Sequence, residues 1–186
     1  MSERKPVNLR TFNNDWYQPG AGILVRTLWY LVNVLFFLNP FNPISSIKIL
    51  MLRLFGAKIG QRVNIKPSVN IKYPWLLEVG DDVWIGENVW IDNLAKVSLG
   101  NNTCLSQGSL LLTGNHNFSL PGFDLMVGEI MLEEGVWIGA KSVVCPGVRC
   151  HSHAVLAVGS VATHDLEPYG IYQGNPAQKV RERVIK

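Results

Sequence analysis

One histidine, His116, stands between two asparagines in residues 111–130 (LLTGNHNFSLPGFDLMVGEI). This segment interrupts a chain in which an aliphatic residue otherwise returns every six positions. A free imidazole has a pKa of about 6.5, so near neutral pH its unprotonated form can accept a proton from an attacking group. His116 is therefore a candidate general base. A histidine in a loop can equally be only solvated or hydrogen-bonded to its neighbours.

The other three histidines are weaker candidates. His151 and His153 alternate within one six-residue unit, which favours exposure to solvent, and His164 lies in the segment ATHDLEP. A catalytic zinc site needs three converging protein ligands, and no second histidine lies near His116 in the sequence. We therefore predict that no metal is required.

Composition excludes several classes of function. The chain has 186 residues, of which 47% are apolar, and its length suggests one domain with an appended segment. Its net charge is only +3 and it has no Lys/Arg-rich run with interleaved aromatic residues, so we expect no nucleic-acid partner. Three cysteines without a CxxC pair, and a polar stretch of twenty residues at the start, favour a cytoplasmic protein.

The six-residue period predicts the fold. The inward aliphatic positions form the runs Ile59, Ile65, Ile71; Val79, Ile85, Ile91, Val97; Leu99, Leu105, Leu111; and Leu132, Ile138, Val144, Cys150, Leu156, Ala162. Neither a helix nor a single strand has this period. A short strand plus a turn fits it, and three such units close one triangular coil of a parallel β-helix.

An apolar segment precedes the repeat. Residues 23–38 (ILVRTLWYLVNVLFFL) are short for a bilayer span, so they favour a buried or an interfacial helix. Residues 44–55 read as a second amphipathic helix in which Lys48 and Arg53 can face solvent, and whose apolar face includes Ile44, Ile47, Leu50, Met51 and Leu54. The two helices either pack on the protein or contact a membrane surface, with residues 23–55 as the contact region.

We accordingly divide the chain into three parts. Residues 1–55 form a polar arm and the apolar helical segment. Residues 56–170 form the β-helix with a protruding loop at 117–130, and residues 171–186 form a C-terminal cap that begins near the segment GNPA. The fold class is mainly β.

Two segments, VGDDVWIGENVWI and LEEGVWIGAKSVVCPGV, resemble the hexapeptide-repeat acyltransferases over about residues 56–180. The resemblance implies a left-handed β-helix. GNHNFSLPGFDL, followed by VWIGAKSVVCPGV and GNPAQKV, is similar to the sugar O-acetyltransferases of exopolysaccharide pathways, in particular the colanic acid biosynthesis subgroup. That likeness implies transfer of an acetyl group from acetyl-CoA to a sugar hydroxyl by a homotrimer, and it leaves open whether the sugar is free, nucleotide-linked or lipid-linked.

The same resemblance implies roles for particular residues. His116 would be the general base, and Asp92 or Asn93, about one coil earlier, would orient its ring. Small residues would let backbone amides approach the pantetheine arm, and basic residues would meet the 3′-phosphate. The expected cofactor-binding residues are Ala140, Ser142, Val158, Gly159, Thr163, His164, Lys179, Arg181 and Arg183.

Two other functions remain open on the sequence, and a third is disfavoured. A γ-class carbonic anhydrase shares the fold but needs a cluster of histidines that the sequence does not offer. An amino-sugar N-acetyltransferase can use the same fold and base. A non-catalytic trimeric scaffold would make the loop around His116 irrelevant to function.

Overall fold

The six-residue period places one aliphatic side chain of each short strand inside a triangular coil. A computed structural model, which describes residues 5–186, shows the resulting left-handed parallel β-helix of about six turns, as predicted. Its three flat faces are parallel sheets, which we call faces A, B and C. The corners take their names from the faces that they join.

The strands of each face follow one another from coil to coil. Face A contains β1 (Lys58–Ile59), β4 (Leu77–Val79), β7 (Val97–Leu99), β12 (Ile130–Leu132) and β15 (Arg149–Cys150). Face B contains β2 (Asn64–Ile65), β5 (Trp84–Ile85), β8 (Cys104–Leu105), β13 (Trp137–Ile138), β16 (Val155–Leu156), β18 (Gly170–Gly174) and β19 (Ala177–Glu182). Face C contains β3 (Asn70–Ile71), β6 (Trp90–Asp92), β9 (Leu110–Leu112), β14 (Val143–Val144) and β17 (Val161–Ala162).

Columns of aliphatic side chains fill the interior. On face B the column is Ile65, Ile85, Leu105, Ile138 and Leu156, each in register with the next. All five side chains are buried, and burying one such side chain contributes about 1.5–3 kcal/mol to folding. Because every coil adds one member to each column, the repeat itself fixes the register.

Two helices close the N-terminal end of the β-helix. They are α1 (Ile23–Val32), extended by a π-helical turn (Asn33–Phe37), and α2 (Ser45–Leu54); short 3-10 turns occur at Leu9–Thr11 and Pro74–Leu76. The first coil has no preceding coil to pair with, so some of its carbonyl groups need other donors. Trp29 Nε1 donates to Ile71 O (2.9 Å) and Arg53 Nη2 donates to Ile59 O (2.8 Å).

Lys48 supplies the donor on face B. Its Nζ lies 3.2 Å from Ile65 O and 2.8 Å from Lys66 O, and the residue is 0% exposed. Burial lowers the pKa of this amine. The prediction that Lys48 faces solvent is therefore wrong, because the open carbonyls of the first coil draw its ammonium group inward. Leu50 and Leu54, predicted to lie on the apolar face of α2, are exposed instead.

The outer side of α1 is apolar and exposed. Leu24, Leu28, Leu31 and Leu35 form a stripe at helical spacing, and Phe41, just beyond the helix, is 90% exposed. Within residues 5–186 no helix has both the length and the apolar character needed to cross a bilayer. The stripe is therefore a surface without a partner in the single chain.

The C-terminal end carries a hairpin. Strand β18 continues face B in parallel with β16, and β19 pairs with β18 in the antiparallel sense. The segment Gly174 to Ala177, which contains a cis Asn175–Pro176 bond, forms the turn between them. The hairpin thus covers the last edge of face B.

Candidate functional site

The break in the repeat is a hairpin at the C–A corner. After β9 the chain leaves the coil as β10 (Gly114–His116), returns as β11 (Leu125–Val127) antiparallel to it, and rejoins face A at β12. Thr113 anchors the base, because its buried hydroxyl donates to Asp92 O (2.9 Å) and accepts from the Ala95 amide (3.0 Å). We call residues 114–127 the histidine hairpin. It projects from the wall of the β-helix and holds His116 on a strand.

One hydrogen bond fixes the imidazole of His116. Its Nδ1 lies 2.7 Å from the carbonyl oxygen of Phe123. A carbonyl can only accept, so Nδ1 carries the proton in this arrangement and Nε2 keeps a lone pair. Phe123 itself has a φ of +55°, which is uncommon for a bulky side chain and costs backbone energy. This backbone conformation points the Phe123 carbonyl toward the imidazole, and Nε2 of His116 remains exposed.

The N-terminal arm, residues 8–17, lies across this hairpin. The Asn8 amide donates to Pro121 O (2.9 Å), and the Asn13 amide donates to Asp124 Oδ1 (3.3 Å). A Cβ atom at Gly122 would lie 2.8 Å from Thr11 O, so only glycine permits this approach. The arm and the hairpin are more than 100 residues apart in sequence, and no local pattern indicated their contact.

Between the arm and the hairpin lies a cavity of about 440 Å³, lined by Leu9, Phe12, His116, Gly122 and Phe123. The ring of Phe12 is 6.0 Å from the imidazole, centroid to centroid. Cavities of this size, with a mainly apolar lining and a polar group such as His116, are typical of small-molecule sites. The structure therefore adds Phe12 and Leu9, which the sequence analysis missed, to the surroundings of His116.

Asp92 and Asn93 lie at the same corner as His116, but their side chains bind residues of the preceding coil and not the imidazole. Asn93 is fully buried; its side-chain oxygen accepts from the Tyr73 amide (2.9 Å) and its Nδ2 donates to Tyr73 O (2.6 Å). Asp92 Oδ1 lies 2.9 Å from Lys72 Nζ. In this chain the carbonyl of Phe123 orients the ring, and Asn93 holds the preceding coil together.

The small residues expected near pantetheine lie at the B–C corner. Val158 and Gly159 are exposed and Ala140 is half-buried, whereas Ser142 is fully buried and its hydroxyl donates to Ala157 O (2.7 Å). Ser142 thus ties two coils together. Nothing lies within 4 Å of a Cβ built on Gly159, so the outer surface of this corner is open.

Backbone N–H groups form a column along this corner. Among the described residues, the amides of Glu87, Gln107, Ala140 and Val158 have no recorded hydrogen-bond acceptor. At the A–B corner, the amides of Gln61 and Asp81 are instead bound by the side chains of Asp81 and Asn101. We call the four groups the amide column. It offers donors at the spacing of neighbouring strands, about 4.8 Å.

The remaining predicted cofactor residues differ in their availability. Thr163 and His164 are exposed at the C–A corner and hydrogen-bond to each other (2.9 Å). Lys179 lies between Glu167 and Glu182, at 2.8 and 2.6 Å, and these carboxylates raise its pKa. Arg183 Nη1 donates to Gly135 O and His153 O. Of the three cations, exposed Arg181 has no recorded side-chain partner within residues 5–186.

The candidate residues therefore fall into two groups within one chain. His116 and its cavity lie at the C–A corner, as do Thr163 and His164, whereas the amide column lies at the B–C corner, and face C separates the two groups. Residues 5–186 contain no cluster of three or more His, Cys, Asp or Glu side chains that could hold a metal ion.

Comparison with known proteins gives relatives that are named as acetyltransferases. No protein-family model matches the chain. It is 34% identical over 168 residues to an Escherichia coli protein named for colanic acid biosynthesis, the acetyltransferase WcaF, covering 90% of this chain and 92% of that protein. It is also 26% identical over 135 residues to the galactoside O-acetyltransferase of E. coli, covering 71% and 66% of the two chains.

The fold has close structural counterparts. A hexapeptide-repeat acetyltransferase of Vibrio cholerae, crystallised with acetyl-CoA, superposes with a TM-score of 0.77 at 19% identity, covering 87% of this chain and 88% of that one. This likeness concerns the fold. The similarity to WcaF extends over nearly the whole of both chains and shows that the two proteins belong to one family.

Proposed function

Because this chain belongs to the hexapeptide-repeat acetyltransferases, we propose that it transfers the acetyl group of acetyl-CoA to a hydroxyl of a sugar in the synthesis of an exopolysaccharide or surface glycan. The observation that carries the proposal is His116, whose Nδ1 is held by Phe123 O while its Nε2 is free beside a cavity. The similarities to WcaF and to galactoside O-acetyltransferase support a sugar acceptor.

His116 supplies the proton transfers that the reaction needs. Its Nε2 takes the proton of the sugar hydroxyl as that oxygen attacks the thioester carbonyl carbon. The resulting imidazolium is stabilised by its Nδ1–H donating to Phe123 O. His116 then returns the proton to the departing sulfur as the carbon–sulfur bond breaks, so the base ends in its starting form. No covalent intermediate on the protein is required.

The amide column supports an acetyl-CoA site at the B–C corner. Pantetheine carries amide carbonyls, and unpaired backbone N–H groups on an open surface are suitable donors to them. Arg181 is the cation of the C-terminal hairpin that is available to a phosphate. Lys179 and Arg183, already bound to carboxylates and carbonyls, would hold the hairpin in place.

A complete site requires a second copy of the chain. The base and the amide column occupy different corners of one β-helix, so the hairpin of one subunit must meet the B–C corner of its neighbour. A cyclic trimer brings these two corners together at each of its interfaces. Light scattering should therefore give a mass three times the 20.8 kDa of the chain.

The N-terminal helices support contact with a membrane surface at the cytoplasmic face. The leucine stripe of α1 and Phe41 are exposed. Of the seven Lys or Arg in residues 16–77, Arg53 and Lys66 are exposed and have no carboxylate partner recorded among the described residues. An apolar helix face in such surroundings suits an anionic bilayer. Replacing Leu24, Leu28 and Leu31 by Gln should abolish sedimentation with vesicles containing phosphatidylglycerol. Deleting residues 1–42 would be a weaker test of membrane contact, because it would also remove Trp29 and Phe37 from the hydrophobic core.

Acetyl transfer can be tested directly. Coenzyme A release should require both acetyl-CoA and a hydroxyl-bearing glycan, and the product should be an ester that hydroxylamine cleaves. A hydroxylamine-resistant product formed only from amino sugars would indicate N-acetylation instead. Absence of turnover with every acceptor, by a trimer that binds no acetyl-CoA, would favour the scaffold function.

A further inference from the structure

The cavity beside His116 belongs to a longer cleft. Phe12 lines both this cavity and a second one of about 490 Å³, whose other walls include Tyr17, Arg26, Lys72 and Tyr73. Arg26, Lys72 and Tyr73 in turn line a third cavity of about 440 Å³ beneath α1. The shared residues show that the three cavities follow one another along the surface, from the histidine hairpin to α1.

The chemistry of the lining changes along this cleft. At one end His116 offers a base, and at the other end Ile23, Tyr30 and Leu38 of the α1 region offer a mainly apolar wall. The ionic groups lie in the middle. Lys72 is paired with Asp92 at 2.9 Å, and the exposed Asp15 accepts a hydrogen bond from Asn13.

Arg26 is the cation in the middle of the cleft that lacks a counterion. Its Nε is buried and has no hydrogen-bond partner, and no ion pair of Arg26 is recorded among the described residues. A buried guanidinium nitrogen without an acceptor is costly and needs an explanation. The neighbouring Tyr17 hydroxyl donates to Leu94 O (2.8 Å), and burial raises its pKa, so it adds no negative charge to the cleft.

We propose that Arg26 binds the phosphate of a lipid-phosphate-linked sugar. The sugar lies beside Phe12 with a hydroxyl at His116, the phosphate accepts hydrogen bonds from the Arg26 guanidinium, and the first part of the lipid chain follows the apolar wall of α1. The order of the three regions, basic nitrogen, unpaired cation and apolar wall, matches the order of the three parts of such a molecule. This assignment rests on the proposed acetyl transfer to a sugar.

The α1 surface favours a lipid over a nucleotide as the group beyond the phosphate. A nucleotide-linked sugar would place a polar ribose and base against Ile23, Tyr30 and Leu38, whereas a hydrocarbon chain would bury against them. The exposed leucine stripe lies on the adjacent side of the same helix. A lipid chain leaving the cleft would therefore enter a bilayer on which that stripe rests.

The test compares three acceptors that carry the same sugar: a free methyl glycoside, a nucleoside-diphosphate sugar and a polyprenyl-phosphate sugar in detergent micelles. For the intact protein, kcat/KM should be highest with the polyprenyl-phosphate sugar. Arg26→Gln should raise the KM for that acceptor about 10- to 100-fold, the effect of losing charge-assisted hydrogen bonds. It should leave kcat and the reaction with the glycoside unchanged, and Arg26→Lys should retain part of the affinity.

Controls separate a binding role from a structural one. Arg62→Gln removes an exposed guanidinium at the A–B corner, outside the cleft and away from the amide column, and should leave all three acceptors unaffected. The Tm of Arg26→Gln should not fall, because Arg26 Nε has no partner to lose.

The possible failures are distinguishable. Equal losses with all three acceptors in Arg26→Gln, or a preference of the intact protein for the glycoside, would overturn the phosphate site. A preference for the nucleoside-diphosphate sugar would overturn the lipid assignment. If the intact protein acetylates no sugar at all, the proposed function itself fails.

Discussion

The C–A corner and the B–C corner of the β-helix provide different kinds of group. At the B–C corner the repeat is regular, and what it presents to a ligand is backbone: the amide column from Glu87 to Val158. At the C–A corner the repeat is broken, and the histidine hairpin presents side chains, above all His116. A regular corner can bind an extended molecule by its main chain, but an imidazole held in one tautomer needs a departure from the repeat.

The comparison predicts that the broken corner is sensitive to side-chain changes. His116→Ala should lower kcat about 10²- to 10⁴-fold, the usual contribution of a general base, with acetyl-CoA affinity and trimer mass unchanged. Steady-state coenzyme A release measures the effect. His151→Ala, at the A–B corner, is the matched control and should keep its activity. Full turnover by a trimeric His116→Ala protein would remove His116 from the mechanism.

The support of the hairpin by the arm should have the next largest effect. Gly122→Val places a side chain where a Cβ already lies 2.8 Å from Thr11 O and 2.9 Å from the Phe12 amide, so the arm must move. We expect kcat/KM for the sugar to fall about 10- to 100-fold, as for other small displacements near a reacting group. The KM for acetyl-CoA should not change.

Ser119→Ala, in the same hairpin and exposed, serves as the control for Gly122→Val. A normal rate for Gly122→Val together with proteolytic release of the arm would show that Phe12 and Leu9 take no part in binding the sugar.

The regular corner should respond to loss of an N–H group and tolerate changes of side chain. Ala140→Pro removes one member of the amide column. The backbone accepts proline there, because Pro67 occupies the equivalent position of the first coil, before Ser68 at φ +59°, as Ala140 precedes Lys141 at φ +55°. Losing one net hydrogen bond of about 1 kcal/mol should raise the KM for acetyl-CoA about 5-fold.

Ala140→Ser keeps the amide and should bind acetyl-CoA normally in the same titration. If Ala140→Ser weakens binding as much as Ala140→Pro does, the side chains of this corner, and not its backbone, make the contact.

The smallest effect should come from the C-terminal hairpin. Arg181→Gln removes an exposed charge and should weaken acetyl-CoA binding only about 2- to 5-fold, as expected for a solvent-accessible ion pair. The loss should disappear with acetyl-dephospho-CoA, which lacks the 3′-phosphate, and should shrink at high salt. An equal loss with both forms would mean that Arg181 does not contact the phosphate.

Much of the fold could be predicted from the sequence, but less of the site. The inward positions from Ile59 to Ala162 specify a β-helix because each residue of a column obeys the same local rule. The break in that rule identified the segment around His116. The roles expected for Asp92, Asn93 and Ser142 came from the family resemblance and their places in the coil, whereas the structure shows their side chains bound to neighbouring coils. Spacing gives the position of a residue and does not give its hydrogen-bond partner.

By itself the sequence determined the triangular coil, the two N-terminal helices and the one histidine that departs from the repeat. Only the tertiary structure decided that Phe123 fixes the His116 tautomer and that the N-terminal arm lines the cavity beside it. It also decided that Lys48 is buried and that Arg26 lacks a counterion. The physical reason is range. The six-residue period relates residues that are close in the chain. A contact such as that of Asn13 with Asp124 joins residues that only the folded protein brings together.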